Sequence, residues 1–301
     1  MKRVLLGAVA LVAVGAAPAL AADLPATPVY TKAPAYVPAP VYNWTGWYIG
    51  GTAGGGWNTN GGVNNAVTGT FCNTLFFGCP AFGPALAAAV PTQYGINPSG
   101  FIGGGEVGYN WQTGRFVWGV ETDFSGTSIN GSNAQALSVV PAGFPDTSSV
   151  SVAGIASERL DWFGTVRGRL GVTITDPLLV YATGGFAYGH ASSSTTLTET
   201  VGGPCVCGPS PTAASSASGI LTGWTVGGGL EWRFAPNWTV KGEYLYYDLG
   251  SVNYSLPGIV QLNNVGAQFF GAGVTASASF KGSIARVGVN YQFGAPVVAK
   301  Y

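Results

Sequence analysis

His190 is the only histidine in 301 residues, and no carboxylate stands close to it in sequence. A general base or an activated nucleophile needs a partner side chain to orient it. A long loop would have to bring that partner in, so the plain reading of His190 is an exposed residue at a strand end. Cys72, Cys79, Cys205 and Cys207 make an even number. In an exported chain this suggests disulfides, although four cysteines allow three pairings. Cys72 with Cys79 closes an easy loop and is the favoured pair. Cys205-Val206-Cys207 would form a tight ring, which leaves cross-loop pairing as the main alternative and metal binding as a weaker one.

Gly103-Gly104-Gly105-Glu106-Val107-Gly108 has the spacing of a dinucleotide-binding loop. That motif works where a strand gives way to a helix, but Tyr109, Asn110 and Trp111 continue a strand. Glycine here suits strands that curve tightly round a small barrel.

The other candidates are charges, and their parity forms a pattern. Arg115, Glu121 and Asp123 alternate with Phe116, Trp118, Val120 and Phe124; Asp161, Arg167 and Arg169 oppose Leu160, Trp162, Val166 and Leu170. Glu231 and Arg233 oppose Leu230, Trp232 and Phe234, while Lys241 and Glu243 oppose Val240 and Tyr244. Successive strand residues face opposite ways, so each segment shows one apolar and one charged face. With Glu106 and Arg286 the charged set holds six acidic and six basic residues. An eight-stranded barrel has an interior just wide enough for side chains to fill, and balanced charge suits a closed, paired lumen. A selective ion pathway would favour one sign. A two-residue turn at Thr113-Gly114 pairs positions summing to 227 and sets Glu106 against Glu121. A simple three-residue loop at 235–237 pairs positions summing to 472 and sets Glu231 against Lys241. Glu158, Asp248 and Lys281 break the parity and fall at the loop ends of their segments.

The segments that position these groups are 44–57, 100–112, 115–127, 157–172, 178–190, 220–234, 238–250 and 280–293. Each exceeds the roughly 9 to 11 residues that a tilted strand needs to cross a bilayer. Short connections at 113–114, 173–177 and 235–237 alternate with long ones at 58–99, 128–156, 191–219 and 251–279. This predicts an all-β fold: an eight-stranded antiparallel up-and-down transmembrane barrel with short periplasmic turns and long extracellular loops. The composition agrees, with only 8% charged residues, 48 glycines and nine tryptophans. The tryptophans lie mostly near segment ends, where aromatic girdles sit.

Lys2 and Arg3 precede an apolar run and the small-residue pattern Ala19-Leu20-Ala21, which predicts a signal peptide over 1–22 with cleavage near Ala21 or Ala22. No segment has the length of about 20 apolar residues that a transmembrane helix needs. Residues 23–43, with five prolines, predict an extended periplasmic tether; 44–293 form the barrel and 294–301 a short periplasmic tail. Losing the leader takes two of the twelve basic residues against twelve acidic ones, so nothing in the charge points to nucleic acid.

The closing strand Arg286-Val287-Gly288-Val289-Asn290-Tyr291-Gln292-Phe293 resembles the assembly signal of bacterial outer-membrane barrels, with Arg286, Gly288, Tyr291 and Phe293 as its marked positions. Together with Trp44-Thr45-Gly46-Trp47-Tyr48-Ile49-Gly50-Gly51, with Tyr181-Ala182-Thr183-Gly184-Gly185-Phe186-Ala187-Tyr188-Gly189, and with Asn237-Trp238-Thr239-Val240-Lys241-Gly242-Glu243-Tyr244-Leu245-Tyr246-Tyr247-Asp248-Leu249-Gly250, it resembles the alphaproteobacterial outer-membrane immunogenic porin-like family. The resemblance implies an abundant surface barrel that supports the envelope and meets its surroundings through its loops. Some members bind haemin, but no motif here carries that over, and no cofactor is expected. The chain departs from the family's usual ending by continuing past Phe293 to Tyr301.

The expected function is therefore non-enzymatic: envelope integrity and surface interaction from the outer membrane, with a charge-paired closed lumen. The expected partners are outer-membrane lipid and lipopolysaccharide, the barrel assembly machinery and an extracellular ligand at the loops. The alternative is a porin-like diffusion channel for small solutes.

Overall fold

The computed structural model describes residues 43–59, 62–73, 79–203, 208–263 and 265–293. The expected leader, tether and tail lie outside the described residues, apart from Asn43 at the tether's end.

Among the described residues, ten strands and one helix follow in chain order: β1 (Gly46–Asn58), β2 (Val63–Cys72), α1 (Cys79–Ala89), β3 (Gln93–Tyr94), β4 (Ser99–Thr113), β5 (Phe116–Val139), β6 (Ser149–Thr175), β7 (Leu178–Gly202), β8 (Thr212–Ala235), β9 (Trp238–Leu262) and β10 (Gln268–Gln292). The order β1-β4-β5-β6-β7-β8-β9-β10 is antiparallel throughout, and β1 pairs with β10 to close a ring of eight. Full closure removes the unpaired sheet edges that hydrocarbon would not tolerate.

β6, β7, β9 and β10 run 25 to 27 residues each, about 11 or 12 more than the expected segments. At ~3.3 Å per residue and ~40° tilt, 25 residues climb about 60 Å, against an apolar band about 25 Å tall. Most of the residues expected in the second, third and fourth long loops are thus in strands, and the strands they extend are joined through 140–148, 203–211 and 263–267. They read as loops because their polarity is inverted. In the upper part of β7, Ser192, Ser194, Thr196, Thr198 and Thr200 face outward, while Ala191, Leu197 and Glu199 are buried. In its lower part the outward residues are apolar, as at Phe186.

The outer half therefore has a water-facing skin and an apolar core, in which Val150, Val152, Ala156, Leu160, Leu197, Tyr254, Leu256, Ile259 and Phe270 pack together. The first long connection fills it from within. Phe82, Ala85, Leu86 and Ala89 of α1 are buried in the same core, with Phe82 edge-on to Phe144 at 5.0 Å. β2 adds to β10 above the point where β1 ends, so β10 keeps a neighbour along its whole length.

One seam interrupts the wall. β8 and β9 pair only up to Trp224 and Asp248; above this level β8 holds to β7 and β9 to β10. Gly250, at φ +83°, makes the turn that carries β9 away, a conformation that glycine adopts without strain. β9 then leans across the interior, where Tyr254 Oη lies 3.0 Å from Ser193 Oγ and 2.8 Å from Thr195 Oγ1 of β7.

Candidate functional site

The charged side chains meet inside the lower barrel, because the strands that carry them alternate strictly there. Glu106 comes from β4, Glu121 and Asp123 from β5, Arg167 and Arg169 from β6, Glu231 and Arg233 from β8, Lys241 and Glu243 from β9 and Arg286 from β10, and all are buried. Arg167 is the hub. Its guanidinium reaches Glu243 at 2.9 Å, Asp123 at 3.1 Å and, in close contact, Glu121. Arg286 bridges Glu243 at 2.7 Å and Asp123 at 3.1 Å. Lys241 holds Glu106 at 2.7 Å and Glu121 at 3.1 Å, and Arg169 holds Glu231 at 2.6 Å.

Neutral groups complete the network. Tyr48 Oη donates to Glu121 at 2.6 Å and accepts from Arg169 at 3.0 Å. Tyr181 Oη donates to Glu243 at 3.1 Å, and its ring lies 4.1 Å beneath the Arg169 guanidinium. Thr239 and Asn290 both donate to Glu231. Tyr48, Tyr181 and Asn290 carry the inward parity of the charges beside them, and that parity was the signal available for finding them. A buried ion pair needs such extra hydrogen bonds to offset its desolvation.

Four expectations about these residues change. Thr113 pairs with Phe116, so the two turn residues are Gly114 and Arg115, and Glu106 faces Asp123 rather than Glu121. Gly114, at φ +60°, takes the turn position that glycine favours. Arg115 consequently sits at the turn, donating to the Thr173 carbonyl at 3.2 Å. Glu231 does lie opposite Lys241, but their side chains choose other partners.

Asp161 leaves the lumen altogether. Leu160 pairs with Ala191 and Trp162 with His190, so Asp161 is the extra residue of a β-bulge. The bulge reverses the parity of β6, burying Leu160 above it and Arg167 below. Outside, Asp161 lies 2.8 Å from His190 Nδ1 and 2.8 Å from Arg159 Nε. His190 thus has the carboxylate partner that its sequence neighbourhood lacks, but the cluster is partly exposed on the barrel wall and not in a cleft. Glu158, expected outside, is buried by the same parity change. Lys281 and Asp248 face outward as a 3.0 Å pair. The two corrections remove Arg115 and Asp161 together, leaving the inward set balanced.

The turn end is stoppered. Trp44, expected in a girdle, is buried with Val117, Leu179 and Tyr181, and Arg233 lies 4.7 Å over its ring while donating to the carbonyls of Pro236 and Asn43. The other tryptophans form two belts. Trp47, Trp111, Trp118, Trp232 and Trp238 mark the turn end with Tyr109, Tyr291 and Phe293; Trp57, Trp162 and Trp224 mark the other, with Tyr188, Tyr244 and Tyr246. Eight residues separate Trp238 from Tyr246, about 20 Å of height at ~3.3 Å per residue and ~40° tilt. Between the belts Ile49, Val120, Val166, Leu230 and Val287 are exposed. The closing strand straddles these environments, with Arg286 inside and Phe293 outside, edge-on to Tyr291 at 5.2 Å.

Cys72 is disulfide-bonded. The side chains of Cys79, Cys205 and Cys207 lie outside the described residues, and so does the expected pairing with Cys79.

A lumen of paired charges, an apolar outer band and aromatic belts at both margins are the marks of a membrane barrel. The model of the outer membrane protein beta-barrel domain matches residues 7–293. The chain belongs to this family. It is 34% identical to the 31 kDa outer-membrane immunogenic protein of Brucella melitensis, over 97% of this chain and all of that one. It is 26% identical to the 25 kDa outer-membrane immunogenic protein of the same organism, over 79% of this chain and 83% of that one. Among solved structures, the outer membrane protein OprG of Pseudomonas aeruginosa aligns over 85% of this chain and all of that one, at 12% identity and a TM-score of 0.41. The family places the protein in the outer membrane, where barrels of this kind carry short turns on the periplasmic side and longer connections outside.

Proposed function

We propose that this protein is a non-enzymatic envelope component: a solid barrel that anchors a tall, rigid extracellular platform and leaves no continuous water path. The observation that carries this reading is the interlocked set around Arg167, in which Glu121, Asp123 and Glu243 converge on one guanidinium at the centre of the lumen. Above it lies an apolar core filled by α1, and below it the Trp44 and Arg233 stopper. A solute would have to break buried ion pairs and then cross a packed, largely apolar core.

In this reading the exposed band between the belts contacts outer-membrane lipid, and the outer belt meets lipopolysaccharide. Arg286, Gly288, Tyr291 and Phe293 serve as the strand read by the barrel assembly machinery, and the connections at 140–148, 203–211 and 263–267 meet extracellular ligands. Conductance of the purified protein in planar bilayers tests the reading. The expected result is no steady conductance; a large, sustained one would establish a diffusion channel instead.

A further inference from the structure

Two carboxylates lie in the outer half with no part in the lumen network. Glu158 of β6 is 2% exposed and Glu199 of β7 is fully buried. They are separate sites: Glu158 lies opposite Ser193 and Glu199 opposite Val152, six residues apart along β6, or about 20 Å at ~3.3 Å per residue. Among the described residues neither has a charged partner. Both oxygens of Glu199 lack a hydrogen-bond partner; Glu158 has the Asn58 side chain and the Gly62 N–H as polar neighbours, and neither carries a charge that would offset ionisation.

Among the described residues no cation faces either group. The described outer half holds two, Arg159 and Lys281; both point outward and are paired with Asp161 and Asp248. Inward, β7 offers Ser193 and Thr195, β9 offers Tyr247 and Tyr254, and β3 offers Tyr94. β2, the described side chains of α1, and the upper parts of β5, β8 and β10 offer nothing titratable. His190, Asp161, Asp248, Tyr246 and, in the connection above, Asp146 are the remaining titratable groups of the described outer half and lie on its outer surface.

An isolated ionised carboxylate in such a core is strongly disfavoured and takes up a proton instead. We propose that Glu158 and Glu199 form a proton-operated latch: the outer half stays closed over their neutral carboxyls, and their ionisation, which the apolar core cannot solvate, loosens it. The seam between β8 and β9 is where loosening begins, because there the sheets are joined by side chains such as Tyr254 instead of a hydrogen-bonded ladder.

Burial pushes each carboxyl up from 4.5 to about 7. Between pH 4.5 and 7 the closed form therefore holds protons that the opened form has released, so closure weakens as pH rises through this window and stays weak above it. Each carboxylate can change the opening constant by at most about tenfold per pH unit.

The test is hydrogen exchange of the full-length protein in bilayers at pH 5 and pH 8, corrected for intrinsic exchange, with peptides from lower β4 and β5 as internal controls. Protection in upper β6, β7 and β9 should fall at least tenfold more than in the controls on going to pH 8. In the E158Q/E199Q double variant, whose amides keep the shape without the charge, that extra loss should disappear. Native protein with no extra loss, or a double variant that keeps it, would overturn the latch. Isotope-edited infrared spectroscopy of the native protein is independent of any variant. With the isotope label at positions 158 and 199 alone, two protonated carboxyl bands should vanish between pH 5 and 8, and their absence at pH 5 would equally overturn it.

Discussion

Lys241 stands directly opposite Glu231 in the β8–β9 ladder, yet its ammonium turns across the lumen to Glu106 at 2.7 Å and Glu121 at 3.1 Å. Glu231 is left to Arg169 at 2.6 Å. Backbone opposition brings side chains near one another, but in a narrow barrel every inward residue also meets those from the far wall.

The consequence is measurable by a double-mutant cycle in denaturant unfolding. Removing one partner from a buried pair costs ~3 to 5 kcal/mol, because the other charge is left uncompensated. Lys241→Met should cost that much, and adding Glu106→Gln should recover a large part of it. Adding Glu231→Gln should instead give nearly the sum of the single effects. Strong coupling to Glu231 with none to Glu106 would show that the network is wired otherwise.

Asp161 and Asp123 offer a direct comparison, since sequence parity puts both in the lumen and the bulge puts only Asp123 there. Asp123→Asn weakens contacts with Arg167 and Arg286 and should destabilise the barrel by ~3 to 5 kcal/mol. Asp161→Asn disturbs a partly exposed pair and should cost less than about 1 kcal/mol. Equal costs in unfolding experiments would restore Asp161 to the interior.

Tyr48 ties a neutral group into the charge network, and Gly108 makes room for it: a methyl group there would overlap the Tyr48 hydroxyl. Tyr48→Phe removes a hydrogen bond to a buried carboxylate and should cost about 1.5 to 3 kcal/mol. Gly108→Ala should cost a similar amount in the native protein but less beside Tyr48→Ala, which removes the ring as well as the hydroxyl. Full additivity would mean that the glycine is needed for another reason.

The ring of eight was legible because one face of each lower strand is apolar and the other charged, and only a closed membrane barrel reconciles those faces. The upper strands were not legible. Ser192, Ser194 and Thr196 alternate with Ala191, Ser193 and Thr195, so neither face is apolar enough to mark a strand, and the partners that bury the inner face are α1 and β9, remote in sequence. The bulge at Asp161 was invisible for a related reason: one extra residue leaves composition unchanged while reversing every side chain beyond it. Glu158 thereby passed for a surface charge.

Reversed polarity between the lower and upper parts of the neighbouring strands β6 and β7 gives the sharpest test of the two-zone architecture. Val166 on β6 faces lipid between the belts, Thr196 on β7 faces water in the outer half, and Leu197 beside it is buried in the upper core. Arginine at 166 must cross or thin the hydrocarbon layer, at a cost of ~2 to 4 kcal/mol. Arginine at 196 replaces one exposed polar side chain by another, and should stay within about 0.5 kcal/mol. Arginine at 197 would bury an uncompensated cation among α1, β6 and β9, and should exceed about 4 kcal/mol or prevent the outer half from closing. The three variants, unfolded from the same bilayer, should rank 197, 166, 196 in decreasing cost. A penalty at 196 as large as at 166 would place the upper strands in lipid; indifference at 197 would mean that the outer half is a loose set of loops without a core.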